Sequence, residues 1–245
     1  MLVQKDLPII DRSMMNGRIL IGSDFHVPFQ DKKAVDCFID YAIEKQPEVI
    51  VIAGDLLDFY RLSKYVKAAG KDPKAEIEEG KIILQSLREG CPYSDIYYTI
   101  GNHESRLENY VYSKAPDVEG LIDSFYDMLD CPKLHVKPCH RVNFNDEFVV
   151  KHGDLVSQKA GQTAIKELQA MMKSGASGHT HRLVKIIHRA NGKKYYYLET
   201  GCLCGMNPHY KLLPDWQQGF GEVIFEDYNL VFADVREIES GKILQ

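Results

Sequence analysis

The stretch Val49-Ile50-Val51-Ile52-Ala53-Gly54-Asp55 decides the fold. Its short β-branched run, bounded by Pro47 and Gly54, reads as a buried strand rather than a helix. Working outward, Arg18-Ile19-Leu20-Ile21-Gly22 is a second such run and Asp95-Ile96-Tyr97-Tyr98-Thr99-Ile100 a third. Amphipathic segments separate them, Asp31 to Lys45 and Pro73 to Glu89, the latter read as a long helix. This alternation implies parallel strands joined by crossover helices.

The second half changes character. Glu147 to His152 reads as a strand and Ala164 to Lys173 as a helix, followed by short strands at Leu183 to Arg189, Lys194 to Thr200, Glu222 to Glu226 and Leu230 to Val235. Asn191-Gly192 and Asp227-Tyr228-Asn229 mark hairpin turns. The expected fold class is therefore α/β, with two packed mixed β-sheets flanked by helices. No repeat or linker divides the chain, so residues 1–245 are read as one domain. The segment at about 104–141 carries helical spacing at Leu107, Tyr110, Val111, Leu121, Ile122, Phe125, Met128 and Leu129, and is expected to be a helical, cap-like element near the site.

Composition narrows the function. Hydrophobic residues make up 44% and charged residues 27% of 245, enough to bury a full core. A net charge of −5 without a basic run argues against broad nucleic-acid coating. No apolar stretch of about 18 residues is present, so no membrane span is expected. The N-terminus lacks a signal-peptide core, and the six scattered cysteines read as reduced thiols, which together suggest a cytoplasmic protein. Cys202 and Cys204 are two apart: this is not a zinc-knuckle spacing, but on an extended segment they face the same side.

Chemistry collects at the predicted strand ends: Ser23-Asp24-Phe25-His26, Gly54-Asp55-Leu56-Leu57-Asp58, Gly101-Asn102-His103-Glu104, His152-Gly153-Asp154 and Gly178-His179-Thr180-His181. In open α/β sheets ligands bind beyond the carboxyl ends of the strands, so these clusters should converge on one rim. Asp24 with His26, and His179 with His181, have the two-residue spacing that points two donors to one face. Carboxylate, imidazole and amide donors suit Mn, Fe, Zn or Ni, and a carboxylate such as Asp55 can bridge two ions.

Asp24-x-His26, Gly54-Asp55-x-x-Asp58, Gly101-Asn102-His103-Glu104, the later His152 and Gly178-His179-x-His181 occur in the order of the calcineurin-like metallophosphoesterases, which the chain resembles over residues 24–181. The resemblance implies one ion on Asp24, His26 and His181, another on Asn102, His152 and His179, and Asp55 between them. It implies His103 as general acid with Asp58 orienting it, and two divalent ions, Mn2+ foremost, as cofactors. Arg106 and Arg61 are candidate substrate-phosphate contacts, each weighed against a plain surface role. Asp154 is read as either a partner of the ligands or a turn residue, and Trp216 as a core plug before a base-stacking ring. Glu199-Thr200-Gly201-Cys202 reads as a strand ending in a tight turn, weighed against a role in shaping the rim. His135, His140, His188 and His209 read as ordinary hydrogen-bonding histidines.

The expected activity is a two-metal-dependent phosphodiesterase acting on a nucleotide-type or other small phosphodiester. A nuclease or nucleic-acid end-processing phosphatase is the alternative within the class, with nucleic acid then the substrate. A non-catalytic binding module on the same fold is the alternative outside it. Phe59-Tyr60 after Asp58, where protein phosphatases carry Arg-Gly, turns the expectation away from a protein phosphatase.

Overall fold

The computed structural model describes residues 7–63, 72–207 and 214–244. Residues 208–213 of the 201–220 loop, with His209, lie outside the described residues. In chain order the elements are β1 (Ile9–Arg12), β2 (Gly17–Gly22), α1 (Lys32–Lys45), β3 (Val49–Ile52), α2 (Pro73–Gly90), β4 (Asp95–Thr99), α3 (Ser105–Lys114), α4 (Phe125–Met128), β5 (Val136–Cys139), β6 (Arg141–Phe144), β7 (Phe148–Lys151), α5 (Gln162–Met171), β8 (Ser174–Ser177), β9 (Leu183–Ala190), β10 (Lys193–Thr200), β11 (Gly219–Glu226), β12 (Asn229–Glu239) and β13 (Lys242–Ile243).

Two mixed sheets face each other. The seven-stranded sheet has the order β13-β12-β11-β2-β3-β4-β5, and the six-stranded sheet β1-β6-β7-β8-β10-β9. β2, β3, β4 and β5 run parallel, so the chain leaves β2, β3 and β4 at one edge. In the other sheet β7, β8 and β10 also run parallel. The alternation within each strand explains the layers. Ile19, Ile21, Val49 and Val51 pack against Val142, Phe144, Phe148, Val150 and Leu198 of the second sheet. The intervening Leu20, Ile50 and Ile52 pack against Phe38 and Ala42 of α1 and Leu84 and Leu87 of α2. Strands that bury both faces have no polar alternation, which is why they appear in the sequence as unbroken apolar runs.

Local chemistry sets the element ends. Asp31 caps α1 by accepting from the Lys33 and Ala34 amides, and Asp72 caps α2 ahead of Pro73. The two expected hairpins close through left-handed pairs, Asn191-Gly192 and Asp227-Tyr228.

The 104–141 segment corrects the sequence reading. It is helical in α3 and α4, with a 3-10 stretch at Pro116–Leu121. From Val136 it becomes β5, paired parallel to β4, and it reaches Arg141, where β6 begins. Val136 and Cys139 are buried there, whereas Leu121 and Tyr110 are exposed at 83% and 46%. The helical periodicity therefore overstates both the length of the helix and its apolar face.

Candidate metal centre

The loops after β2 and β3 are zipped together by main-chain bonds, Asp24 N to Gly54 O, His26 N to Asp55 O and Val27 N to Leu56 O, and the loop after β4 joins them through His103 N donating to Asp55 Oδ1. Asp24, His26, Asp55, His179 and His181 all adopt positive φ, between 51° and 68°. Left-handed backbone is costly for these residue types and persists where surrounding bonds over-determine it, commonly at functional sites. Two glycines permit the close approach. A Cβ on Gly101 would stand 2.1 Å from Asp55 Oδ1, and one on Gly178 would stand 2.4 Å from Asp24 Oδ2.

The structure brings the seven expected ligands into two adjoining groups. Asp24, His26 and His181 have ligand atoms within 4.8 Å of one another, as do Asp55, His152 and His179. His26 Nε2 and His181 Nε2 stand 3.0 Å apart. In the second group His152 Nε2 lies 3.1 Å from His179 Nδ1 and 3.1 Å from Asn102 Oδ1. Asp55 lies between the groups, its Oδ2 3.3 Å from His152 Nε2 and 3.9 Å from His26 Nε2. Asp24 Oδ1 is buried without a hydrogen-bond partner, with His181 Nε2 at 3.2 Å and His26 Nε2 at 3.7 Å. An orphaned carboxylate oxygen facing imidazole nitrogens is a poor hydrogen-bonding design but a suitable donor set for a cation. The residues fit divalent metal.

Electrostatics point the same way. Burial would raise the Asp24, Asp55 and Asp58 carboxyls, yet the histidines beside them hold all three below the ordinary range. Burial would lower His26 and His152. Neighbouring carboxylates win instead, with Asp24 and Asp58 raising His26 well above its ordinary value and Asp55 raising His152 to about 10. His179 and His181 are lowered, chiefly by burial. The carboxylates thus demand positive charge from within the cluster, which a divalent cation supplies more strongly than a shared proton.

The expected acid and its partner lie alongside. Asp58 Oδ2 is 3.3 Å from His103 Nδ1 and 3.2 Å from His26 Nδ1, so one carboxylate serves both rings. Arg106 is not a free clamp: its Nη1 donates to Asp58 O and Oδ1, and its Nη2 donates to His103 Nε2 at 2.9 Å. Arg61 is exposed on the 3-10 turn Tyr60–Leu62 and does not line the cavity of about 170 Å³ at the clusters. Asp154 is an exposed partner of Lys151, and His135, His140 and His188 are exposed. A larger cavity of about 520 Å³ opens beside Arg18, Lys45 and Glu48 and contains none of the clustered donors, so the chemistry belongs to the smaller one.

Trp216 is a second correction. Its ring lies 4.2 Å from that of His181 and lines the small cavity, instead of plugging the core. The segment carrying it is clipped to the site by Gln217 N to His181 O and Cys202 N to Gln217 O. Arg182 holds it from behind, bonding Asp215 Oδ2 at 2.7 Å and the Ser157 and Gln158 carbonyls. Glu104 was legible only as a motif letter. It is fully buried, and its carboxyl accepts from the Asp55, Leu57 and Gly101 amides and the Tyr98 hydroxyl. Glu199 is likewise buried, accepting from Thr180 Oγ1 and Ala164 N.

Sheet-on-sheet layering with carboxylate, imidazole and amide donors on one rim defines a phosphoesterase-type metal centre. The chain belongs to the calcineurin-like phosphoesterase family, whose model matches residues 17–221. It is 26% identical to the Gene 54 protein of Mycobacterium phage D29, covering 93% of this chain and 96% of that one. It is 29% identical to the Gene 54 protein of Mycobacterium phage L5, covering 84% and 88% respectively. In fold it is similar to vacuolar protein sorting 29 from Cryptosporidium parvum, with a TM-score of 0.53 at 17% identity over 94% of this chain and 96% of that one. Among the described residues no helix is long and apolar enough to cross a membrane.

Proposed function

We propose that this chain is a two-metal phosphodiesterase that hydrolyses a nucleotide-type or other small phosphodiester, with Mn2+ as the favoured ion and Fe, Zn or Ni as substitutes. The observation that carries this reading is Asp55 Oδ2, placed between two donor groups, one of a carboxylate and two imidazoles and the other of an amide and two imidazoles. Asp24, His26 and His181 would hold one ion, Asn102, His152 and His179 the other, and Asp55 both. Divalent ions there supply Lewis acidity to the phosphoryl group and acidify the attacking water.

The remaining steps fall to the chain's own side chains. His103 delivers a proton to the leaving oxygen from Nε2, while Asp58 fixes the ring through Nδ1. Arg106 Nη2 donates to that same Nε2, so Arg106 must withdraw and Nε2 take up a proton from solvent before His103 can give it to the leaving oxygen. The released guanidinium then faces the developing phosphate charge, a planar fork suited to it. Trp216 offers a flat apolar wall beside the reacting group, and the narrow cavity and the net charge of −5 favour small substrates over polynucleotides.

Manganese-supplemented hydrolysis of bis-p-nitrophenyl phosphate and p-nitrophenyl phosphate, with Asp55→Asn as control, tests the reading. Diester turnover lost in the variant supports it, and monoester-only turnover redirects it to a phosphatase. No turnover with two ions bound favours the binding-module alternative.

A further inference from the structure

The structure assigns a second kind of metal site behind the first: we propose that Cys202 Sγ, Cys204 Sγ and His181 Nδ1 bind a thiophilic cation of the Zn2+ or Cd2+ class. The two cysteines follow β10 on either side of a bend at Leu203, Cys202 bridged to Gln218 and Cys204 to Gln30, and their sulfurs gather on one side. That side faces His181. Its Nε2 looks towards Asp24 and His26, and its Nδ1 lies 3.8 Å from Cys204 Sγ. All three donor atoms lie within 4.8 Å of one another.

The partners of two other ligand histidines, His26 and His152, sharpen the contrast. His152 Nδ1 donates to Ala53 O at 2.9 Å, and His26 Nδ1 meets Asp58 Oδ2 at 3.2 Å. These are the oxygen partners usual for metal-binding imidazoles, whereas His181 has sulfur. Simple apolar packing accounts for buried thiols, with Cys202 at 0% and Cys204 at 3% exposure. It does not account for two sulfurs converging on one ring nitrogen. None of the other four cysteines joins such a group among the described residues.

The chemistry sorts the ions. The Asp55-centred groups offer oxygen and imidazole to harder ions, and the cysteine pair offers the soft donors that Zn2+ and Cd2+ prefer. Each thiol releases one proton as its sulfur bonds the metal, so two thiolates neutralise a dication in a dry site. The Gln217 carbonyl, 3.6 Å from Cys202 Sγ, is within reach as a fourth donor. Because His181 belongs to both places, a thiophilic cation competes for the ring with the ion proposed on Asp24 and His26.

The test is titration of Mn2+-saturated protein with Cd2+, reading the ultraviolet thiolate-to-cadmium charge-transfer absorption. The site predicts a rise that levels off at one equivalent, disappears in C202S/C204S and persists in C37S. No such absorption in the unaltered protein, or its survival in the double variant, overturns the proposal. Should the double variant fail to fold, zinc-edge X-ray absorption on unaltered Mn2+-saturated protein with one equivalent of Zn2+ decides. Two sulfur neighbours at about 2.3 Å support the site, and nitrogen and oxygen neighbours alone overturn it. Neither readout depends on phosphoester turnover.

Discussion

Arg106 Nη2 donates a hydrogen bond to His103 Nε2 at 2.9 Å, occupying the nitrogen from which the proposed acid must deliver its proton. Arg106→Ala frees that nitrogen but removes a fork that also holds Asp58. Turnover of an activated p-nitrophenyl diester should fall only several-fold, since its leaving group needs little protonation. Turnover of a diester with an alkyl leaving group should fall about 10²-fold or more, the range for losing a positioned acid. Equal losses on both substrates would remove Arg106 from the proton-transfer step.

Glu104→Gln tests the frame beneath the ligands. Glu104 Oε2 accepts two amides, from Asp55 and Gly101, and Oε1 accepts Leu57 N and the Tyr98 hydroxyl. An amide in its place must turn an NH2 towards existing donors, leaving buried groups unmatched at about 1–3 kcal/mol each. Thermal unfolding should drop by several degrees and Mn2+ affinity should weaken. A variant with unchanged affinity would show that the Asp55 loop holds itself.

Glu76 carries a pH signature of stability. It is buried beneath the Phe59 amide, which donates to it. Burial, with Asp58 and Glu104 nearby, pushes its carboxyl up to about 8 from an ordinary 4.5. The folded chain therefore keeps a proton that the unfolded chain loses, and stability falls as pH rises from 4.5 to about 8. Glu76→Gln removes this loss while keeping an acceptor for Phe59. Its advantage in thermal unfolding should be small near pH 4 and grow to a few kcal/mol by pH 8, at about 1.4 kcal/mol per pKa unit. A constant offset across that range would rule the mechanism out.

Cation binding should release protons. Asp55 raises His152 to about 10 against the effect of burial, so a metal taking that nitrogen must displace its proton anywhere below that pH. Mn2+ affinity should climb steadily from pH 6 to 9. Calorimetry in buffers of different ionisation enthalpy should report at least one proton released per protein. PH-independent affinity would mean that His152 is not a ligand.

How much of this was readable in advance follows from physical causes. β2, β3 and β4 were legible because parallel strands buried on both faces leave unbroken apolar runs, and α1 and α2 because each buries one face and so carries amphipathic spacing. β8 was not, because Ser174–Ser177 is a buried run of small residues without periodicity. β5 was hidden by Pro138 within a segment of apparent helical spacing. At the site, the seven donors were legible because short local motifs carry them. Trp216 was not, because its place depends on Arg182 bonding Asp215 and on backbone clips to His181 and Cys202, contacts that no local pattern encodes. Arg106 was visible as a basic residue, but its engagement with Asp58 and His103 required the loop after β3 to meet the start of α3.

The most direct measurement of the central claim is anomalous diffraction at the manganese edge from crystals grown with Mn2+. The expected result is two peaks about 3.5–4 Å apart, the spacing of hydrolytic metal pairs, on either side of the Asp55 carboxylate. Asp24, His26 and His181 should surround one peak, and Asn102, His152 and His179 the other. A single peak, or two that do not share Asp55, would contradict the two-ion centre and the hydrolytic role built on it.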